Sequence, residues 1–321
     1  MASKTGSQII AIEEHYLDPE VSQHFQGRDD SRAPAIVERL LDLAEGRLND
    51  MDEAGIDIQV LSHGAPATQR IPADIAVPLS IEANDRLYET VQAKPDRFAG
   101  FAVLPTDDPK ASADELERTV DKLGFKGAMI HGPSNGVFLD DKKFWPIYER
   151  AEALDVPIYI HPSIPMESVI QAYYADYLDD YPTLASNAWG FTVETATHGI
   201  RMVLSGVFEK HPGLKIILGH LGESLPFSLW RIDAGLKRSR QNMTSFRDLF
   251  CEHFYITTSG NFSDPAMRCC IEEMGVDRVI FSIDWPFVQN APGVEWMERI
   301  ELSQEDKDKI LHGNAKRLLR M

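Results

Sequence analysis

Three cysteines in 321 residues are too few, and too late in the chain, to form a covalent scaffold. Cys251, Cys269 and Cys270 are odd in number and no Cys-x-x-Cys pairs with a second one, so neither a disulfide framework nor a thiolate zinc site is indicated. Positive charge is also scarce. Against 50 aspartates and glutamates stand 32 lysines and arginines, a formal net charge of -18. Such a field repels nucleic acid and anionic membranes, and a small anionic substrate would need local positive charge from a metal or an arginine. No apolar run approaches the roughly 20 residues of a membrane span. Residues 1–7 are polar and lack the apolar core of a signal peptide, so a soluble cytoplasmic protein is the expectation. Internal repeats, low-complexity tracts and linkers are missing too, and one domain over 1–321 is the simpler organisation.

What is present is a hydrophobic content of 43%, ample for a core, arranged in alternating short and long apolar segments. Strand-like runs fall over 9–15, 56–61, 98–104, 127–131, 157–161, 215–218, 254–258 and 278–283. Helical spacing falls between and after them, over 36–54, 75–93, 110–123, 141–154, 185–210, 225–236, 265–274 and 304–319. Eight strand-and-helix units predict an α/β fold of the (β/α)₈ TIM-barrel kind, with its active site at the C-terminal ends of the strands. A doubly wound open sheet competes with it, but no glycine-rich phosphate turn follows the first strand. Two connections are long: 16–35, which carries the charged Arg28-Asp29-Asp30 cluster, and the aromatic-rich 162–182. Connections of that length are commonly functional or mobile.

Polar residues collect at the predicted strand ends. The first strand, Ile9-Ile10-Ala11-Ile12-Glu13-Glu14-His15, finishes on a carboxylate and an imidazole that alternation places on one face, with Glu14 on the other. His161 ends the fifth strand, His220 follows the sixth, and Asp284 follows the eighth. A barrel brings these ends together. Glu13, His15, His161 and Asp284 are oxygen and nitrogen donors suited to one divalent cation with room left for water or substrate. His220 is either a ligand or an acid beside the ligands, with the second reading preferred. His198, His211 and Arg201 read as structural.

These residues resemble the amidohydrolase superfamily, with Glu13 replacing the first histidine of its usual strand-one pair. Ile12-Glu13-Glu14-His15, Ile160-His161-Pro162, Gly219-His220-Leu221-Gly222-Glu223, Trp230-Arg231-Ile232-Asp233, Thr257-Thr258-Ser259-Gly260-Asn261 and Ser282-Ile283-Asp284-Trp285-Pro286-Phe287 are similar to its hydroxybenzoate decarboxylase branch. The resemblance runs over nearly the whole chain. It implies a metal-dependent, non-oxidative carboxy-lyase acting on an ortho-hydroxy aromatic acid such as a dihydroxybenzoate or salicylate. By the same resemblance Glu13, His15, His161 and Asp284 hold one divalent metal ion, manganese or zinc, and Asp284 also passes a proton to the ring. His220, braced by Glu223, orients the substrate, and Arg231 binds near its anionic end. A homodimer or homotetramer is expected on the same ground.

The sequence departs from that branch at Ser62-His63-Gly64 and at His131-Gly132-Pro133. Both are on the predicted rim, where His63 and His131 either alter substrate choice or bond neighbouring backbone. Phe287, with Trp285, is a further substrate-side candidate or a packing residue. The loop 16–35 and Tyr173, Tyr174 and Tyr177 either wall off water or pack. The closest rival function is a hydrolase of a lactone or amide, in which the same metal would activate water and Asp284 would act as base. A non-catalytic metal-binding protein is a further alternative.

Overall fold

The computed structural model describes residues 6–321. Eight strands appear in chain order: β1 (Ile10–Tyr16), β2 (Ile58–His63), β3 (Phe98–Gly100), β4 (Ala128–His131), β5 (Ile158–His161), β6 (Ile216–Leu218), β7 (Phe254–Thr257) and β8 (Val279–Ile280). Parallel ladders join β1 to β2 to β3 and, separately, β4 through β8. Two single bridges close the ring, Ala102 with Ala128 and Glu14 with Trp285. The result is a (β/α)₈ barrel.

Around it pack α1 (Glu45–Ala54), α2 (Ala73–Ala93), α3 (Pro109–Leu123), α4 (Trp145–Leu154), α5 (Gly190–Leu204), α6 (Leu225–Ser239), α7 (Asp264–Met274), α8 (Asn290–Arg299) and α9 (Asn314–Leu319). Local chemistry sets their ends. In α3, Asp108 accepts from Lys110 N and Ala111 N, Pro109 occupies the first turn, and Gly124 closes the helix at φ 72°. Among the described residues no helix is long and apolar enough to cross a membrane.

Alternate strand residues feed two apolar layers. Ile10, Ile12, Val60, Met129, Tyr159, Ile217 and Ile280 fill the barrel interior. Ala11, Leu61, Ile130, Ile160, Leu218, Ile256 and Val279 pack outward against the helices. Burying each aliphatic chain of this size contributes about 1.5–3 kcal/mol.

On β1 that alternation slips. Ala11 lies opposite Gln59 but Glu14 lies opposite Leu61, so β1 holds one extra residue. The amides this frees, Ile12 N and Glu13 N, donate to Ser282 Oγ at 3.0 and 2.5 Å. Ile12 belongs to the interior layer, and the next residue, Glu13, also turns inward and receives the hydroxyl of interior Tyr159. Glu13 and His15 share a face as expected, and the bulge is what makes it the inner one.

The seam between β8 and β1 is stitched mainly by side chains. Glu14 accepts from Ser282 Oγ at 3.0 Å, Ile283 N at 2.9 Å and Trp285 N at 3.2 Å. Burial pushes this carboxyl up to about 8 despite those bonds. His15 N donates to Trp285 O at 2.7 Å, and Asp284 N donates to Glu13 O at 3.1 Å.

Several expected elements differ. The helix over 36–54 is two helices, Pro34–Leu41 and α1, because Asp42 turns its carboxylate onto Ala44 N at 2.8 Å and competes with the helical pattern. The helix over 185–210 begins at Gly190 and breaks at Gly206, whose φ is 84°. The loop 16–35 holds a short helix, Pro19–Ser22, capped by Asp18. The excursion 162–182 holds the helix Glu167–Tyr173, and α8 lies where no element was expected.

Candidate active site

The ends of β1, β5 and β8 deliver Glu13, His15, His161 and Asp284 to one point. One donor atom from each lies within 4.8 Å of all the others. Glu13 is fully buried, and its Oε2 receives the hydroxyls of Tyr159 and Ser259, with Thr257 Oγ1 donating at 3.1 Å. Its other oxygen, Oε1, stands 3.3 Å from His161 Nε2. His15 Nδ1 meets Ser62 Oγ at 3.2 Å, and His15 Nε2 faces Asp284 Oδ1 at 3.3 Å. Asp284 sits at φ 76°, a left-handed position that β8's turn enforces through the Glu14 bonds on either side of it.

Glu13 Oε1, His15 Nε2 and Asp284 Oδ1 are buried and have no hydrogen-bond partner among the described residues. Polar atoms orphaned in this way carry a desolvation cost of about 1–3 kcal/mol each. Two carboxylate oxygens and two imidazole nitrogens converging with those free lone pairs fit one divalent ion. The electrostatics agree. Burial alone would raise Glu13, but the imidazoles of His220, His161 and His15 outweigh it and hold the carboxyl well below its usual range. Burial lowers His15, which keeps the imidazole neutral and its lone pair available. Burial opposes ionisation of Asp284 as well, and the neighbouring imidazoles of His15 and His220 outweigh it and hold the carboxyl below its usual value.

Beyond β6 the backbone turns through consecutive left-handed residues, His220 (φ 52°), Leu221 (φ 57°), Gly222 (φ 73°), Glu223 (φ 52°) and Ser224 (φ 64°). L-residues rarely adopt such a run, and here it aims the His220 ring into the cavity. His220 Nδ1 meets Glu223 Oε1 at 2.6 Å, while its Nε2 lies 3.6 Å from Glu13 Oε1 and 3.7 Å from Asp284 Oδ2. Burial disfavours the imidazolium, but Glu223 and Glu13 more than offset it and hold the proton well above its usual range. Gly219, just before this turn, has no room for a side chain: a Cβ there would lie 2.9 Å from Glu13 Oε2 and 3.2 Å from the Tyr159 hydroxyl.

A cavity of about 670 Å³ opens over this floor. Its lining includes His161, His220, Glu223, Asp284 and Phe287, together with Arg32, Trp189, Phe191 and Asn261. Phe287 stands at the rim, with its ring 5.7 Å from that of His15.

Two candidates are placed elsewhere. His63 is buried beside Tyr16 and Phe25, not on the cavity wall. Its Nε2 accepts from Asp18 N at 3.0 Å and its Nδ1 meets Gly64 O at 2.7 Å, so both nitrogens serve local backbone. Burial pushes it down to about 4. Arg231 lies exposed on α6, in a shallow groove that shares Trp189, Thr192, Glu223 and Ser224 with the cavity. Tyr173 and Tyr177 are exposed and Tyr174 packs on Ile170 and Ala185, so Trp189 and Phe191 supply the aromatic wall instead. His198 and His211 bond Leu139 N and Glu152 away from the cavity.

Sequence reasoning assigned no role to Tyr159 or Ser259, which clamp Glu13, or to Arg32 on the cavity wall. Arg32 donates to the carbonyls of Asp29 and Ala65 and, among the described residues, has no ion pair. The one available signal was an unusually long, charged connection after β1.

The sequence profile of the amidohydrolase family matches residues 17–321. A gamma-resorcylate decarboxylase of Polaromonas sp. (strain JS666) is 42% identical, the match covering 97% of this chain and 98% of that protein. A crystal structure of a dihydroxybenzoic acid decarboxylase from Polaromonas sp. JS666, with bound manganese and the inhibitor 2-nitroresorcinol, superposes with a TM-score of 0.87 at 41% identity, covering 98% of this chain and 97% of that one. The 5-carboxyvanillate decarboxylase of Novosphingobium aromaticivorans, complexed with manganese and 4-hydroxy-3-methoxy-5-nitrobenzoic acid, superposes with a TM-score of 0.91 at 32% identity, covering 100% and 98%. The chain belongs to the amidohydrolase family, in the branch that holds the metal-dependent hydroxybenzoate decarboxylases.

Proposed function

We propose that this enzyme is a carboxy-lyase that protonates the ring of an ortho-hydroxy aromatic acid and releases carbon dioxide. The observation that carries this reading is the convergence of four donors, three with orphaned buried atoms, beneath a cavity walled by aromatic rings.

Expelling carbon dioxide directly would leave an aryl anion that the ring's π-system does not delocalise. The easier route adds a proton to the ring carbon first, with electrons pushed from the ortho oxygen. Glu13, His15, His161 and Asp284 would hold the divalent ion, manganese being the proposed choice. When bound, that ion would supply Lewis acidity that lowers the pKa of the ortho hydroxyl. Asp284 takes up a proton from a substrate hydroxyl or water as the complex forms and delivers it from its carboxyl oxygen to the ring carbon. His220, held by Glu223, presents Nε2–H to the substrate and stabilises negative charge on it. Arg32 offers a guanidinium to a ring substituent remote from the reacting carboxylate, and Phe287 stacks at the rim.

Homodimer formation is the proposed assembly. The exposed Phe227, Trp230 and Arg231 of α6 and Trp189 beside them are the face proposed to pair with a second copy. This would bring Arg231, the residue assigned to the anionic end of the substrate, against that copy.

The enzyme purified without chelators and incubated with a panel of salicylate-type acids is expected to yield the corresponding phenols, followed by chromatography. Hydrolysis of lactones or amides, with every acid left intact, would instead assign it to the rival chemistry.

A further inference from the structure

A fourth histidine stands on the floor beside the proposed ligands and His220, and has no part in the proposed reaction. His131, at the end of β4, is 1% exposed, and its backbone is held from both edges. On one side His131 N donates to Gln69 Oε1 at 2.5 Å and Gln69 Nε2 donates to His131 O at 2.9 Å. On the other, His131 pairs with His161 in the β4–β5 ladder, and Gly132 N donates to His161 O at 2.9 Å. The two imidazoles therefore have little freedom relative to each other. Their centroids are 4.9 Å apart at 77°, edge to face.

The contact between them is specific: His131 Nδ1 lies 3.0 Å from His161 Nδ1. His161 turns its other nitrogen, Nε2, towards Glu13 Oε1. A nitrogen that binds metal must keep its lone pair, so the single proton of His161 belongs on Nδ1. Two acceptors surround that proton, Pro162 O at 2.7 Å and His131 Nδ1. Two protonated Nδ1 atoms at 3.0 Å would repel, so His131 must present a lone pair there and carry its own proton on Nε2. The His131 Nε2 atom is buried without a hydrogen-bond partner among the described residues. Pro162 O follows His161 directly in the chain and moves with it, whereas His131 reaches across from another strand.

We propose that His131 is a positioning residue for the metal centre: its Nδ1 accepts a hydrogen bond from His161 Nδ1–H, fixing the tautomer and plane that point His161 Nε2 at Glu13, His15 and Asp284. Partners of this kind set the orientation and basicity of the imidazoles they hold. The inference rests on the reading of His161 as a ligand.

Three substitutions separate this role from packing. Asn places a polar atom where the histidine Nδ1 stood, Gln places one where Nε2 stood, and Phe keeps a ring with neither. Manganese affinity of the full chain is measured by competition with a chromogenic chelator, alongside the melting temperature of the metal-free protein. H131F and H131Q are expected to lose about 10–100-fold in affinity, with H131N close to the unsubstituted protein. Equal affinity in all three, or rescue by Gln and not by Asn, overturns the proposal whatever the melting temperatures are. His161→Ala is measured in parallel. If it binds manganese normally, the ligand reading itself fails; if it loses manganese while H131F does not, only the role of His131 fails.

Discussion

The floor of the cavity and its mouth are held by different means. On the floor, Glu13 has three hydroxyls on one oxygen, and Asp284 is bracketed by Glu14 bonds to the residues on either side. His161 is locked in a ladder. At the mouth, Phe287 is 44% exposed, and Arg32 hangs from a loop by two backbone carbonyls. Groups that must meet an ion to within tenths of an ångström sit on strand ends inside a packed barrel, while groups that meet a substrate's periphery sit on loops. On the proposed function, the floor sets the class of reaction and the mouth sets which ring is accepted.

Breaking the floor should cost most. Asp284→Asn removes the proposed proton donor, and turnover should fall by about 10²–10⁴-fold, read as initial rate in samples whose metal content is measured. Full turnover with metal retained would remove Asp284 from the chemistry. Gly219→Ala acts on the same floor without replacing a donor. Its Cβ would stand 2.9 Å from Glu13 Oε2, at an expected cost of about 1–3 kcal/mol, seen as a lower melting temperature and weaker manganese binding. A variant that melts and binds normally would show that the Glu13 carboxylate is free to move.

A smaller, differently shaped effect is expected at the mouth. Arg32→Ala should raise KM about tenfold, close to 1.4 kcal/mol, for acids with an oxygen substituent remote from the carboxylate, and leave kcat nearly unchanged. A fall in kcat at constant KM would move Arg32 to the floor. The smallest effect at neutral pH should come from His198, remote from both regions. It accepts from Leu139 N at 2.8 Å, and burial pushes it down to about 3 from 6.5. The unfolded chain binds the extra proton first, so this contribution is complete above pH 6.5 and lost as pH falls towards 3. His198→Gln should cost about 1 kcal/mol near pH 7 and flatten the acid limb of a stability–pH curve. An acid limb of unchanged slope assigns that loss to other groups.

The barrel and the four converging donors were legible because strand-length apolar runs ending in polar residues report on backbone direction alone. The phase of β1 was not. Counting from Ile10, alternation puts Glu13 and His15 outside with Ala11, and only the extra residue, made possible by Ser282 on the far side of the seam, turns them in. Long-range partners of this kind leave no mark in local periodicity. The same holds for Tyr159 on β5 and Ser259 in the turn after β7, which reach Glu13 across the barrel, and for His63, whose local backbone bonds took a residue expected at the rim. The break at Asp42 was local, but the residue is common in helices and shows its preference for a turn only once its neighbours are placed.

That the strand ends form one metal site is tested by the manganese content of the purified chain after exhaustive dialysis, beside that of Glu13→Ala. About one ion per chain is expected, with most of it lost in the variant. An unsubstituted protein that retains no metal, or a variant that retains it fully, would show that these four side chains do not form the site.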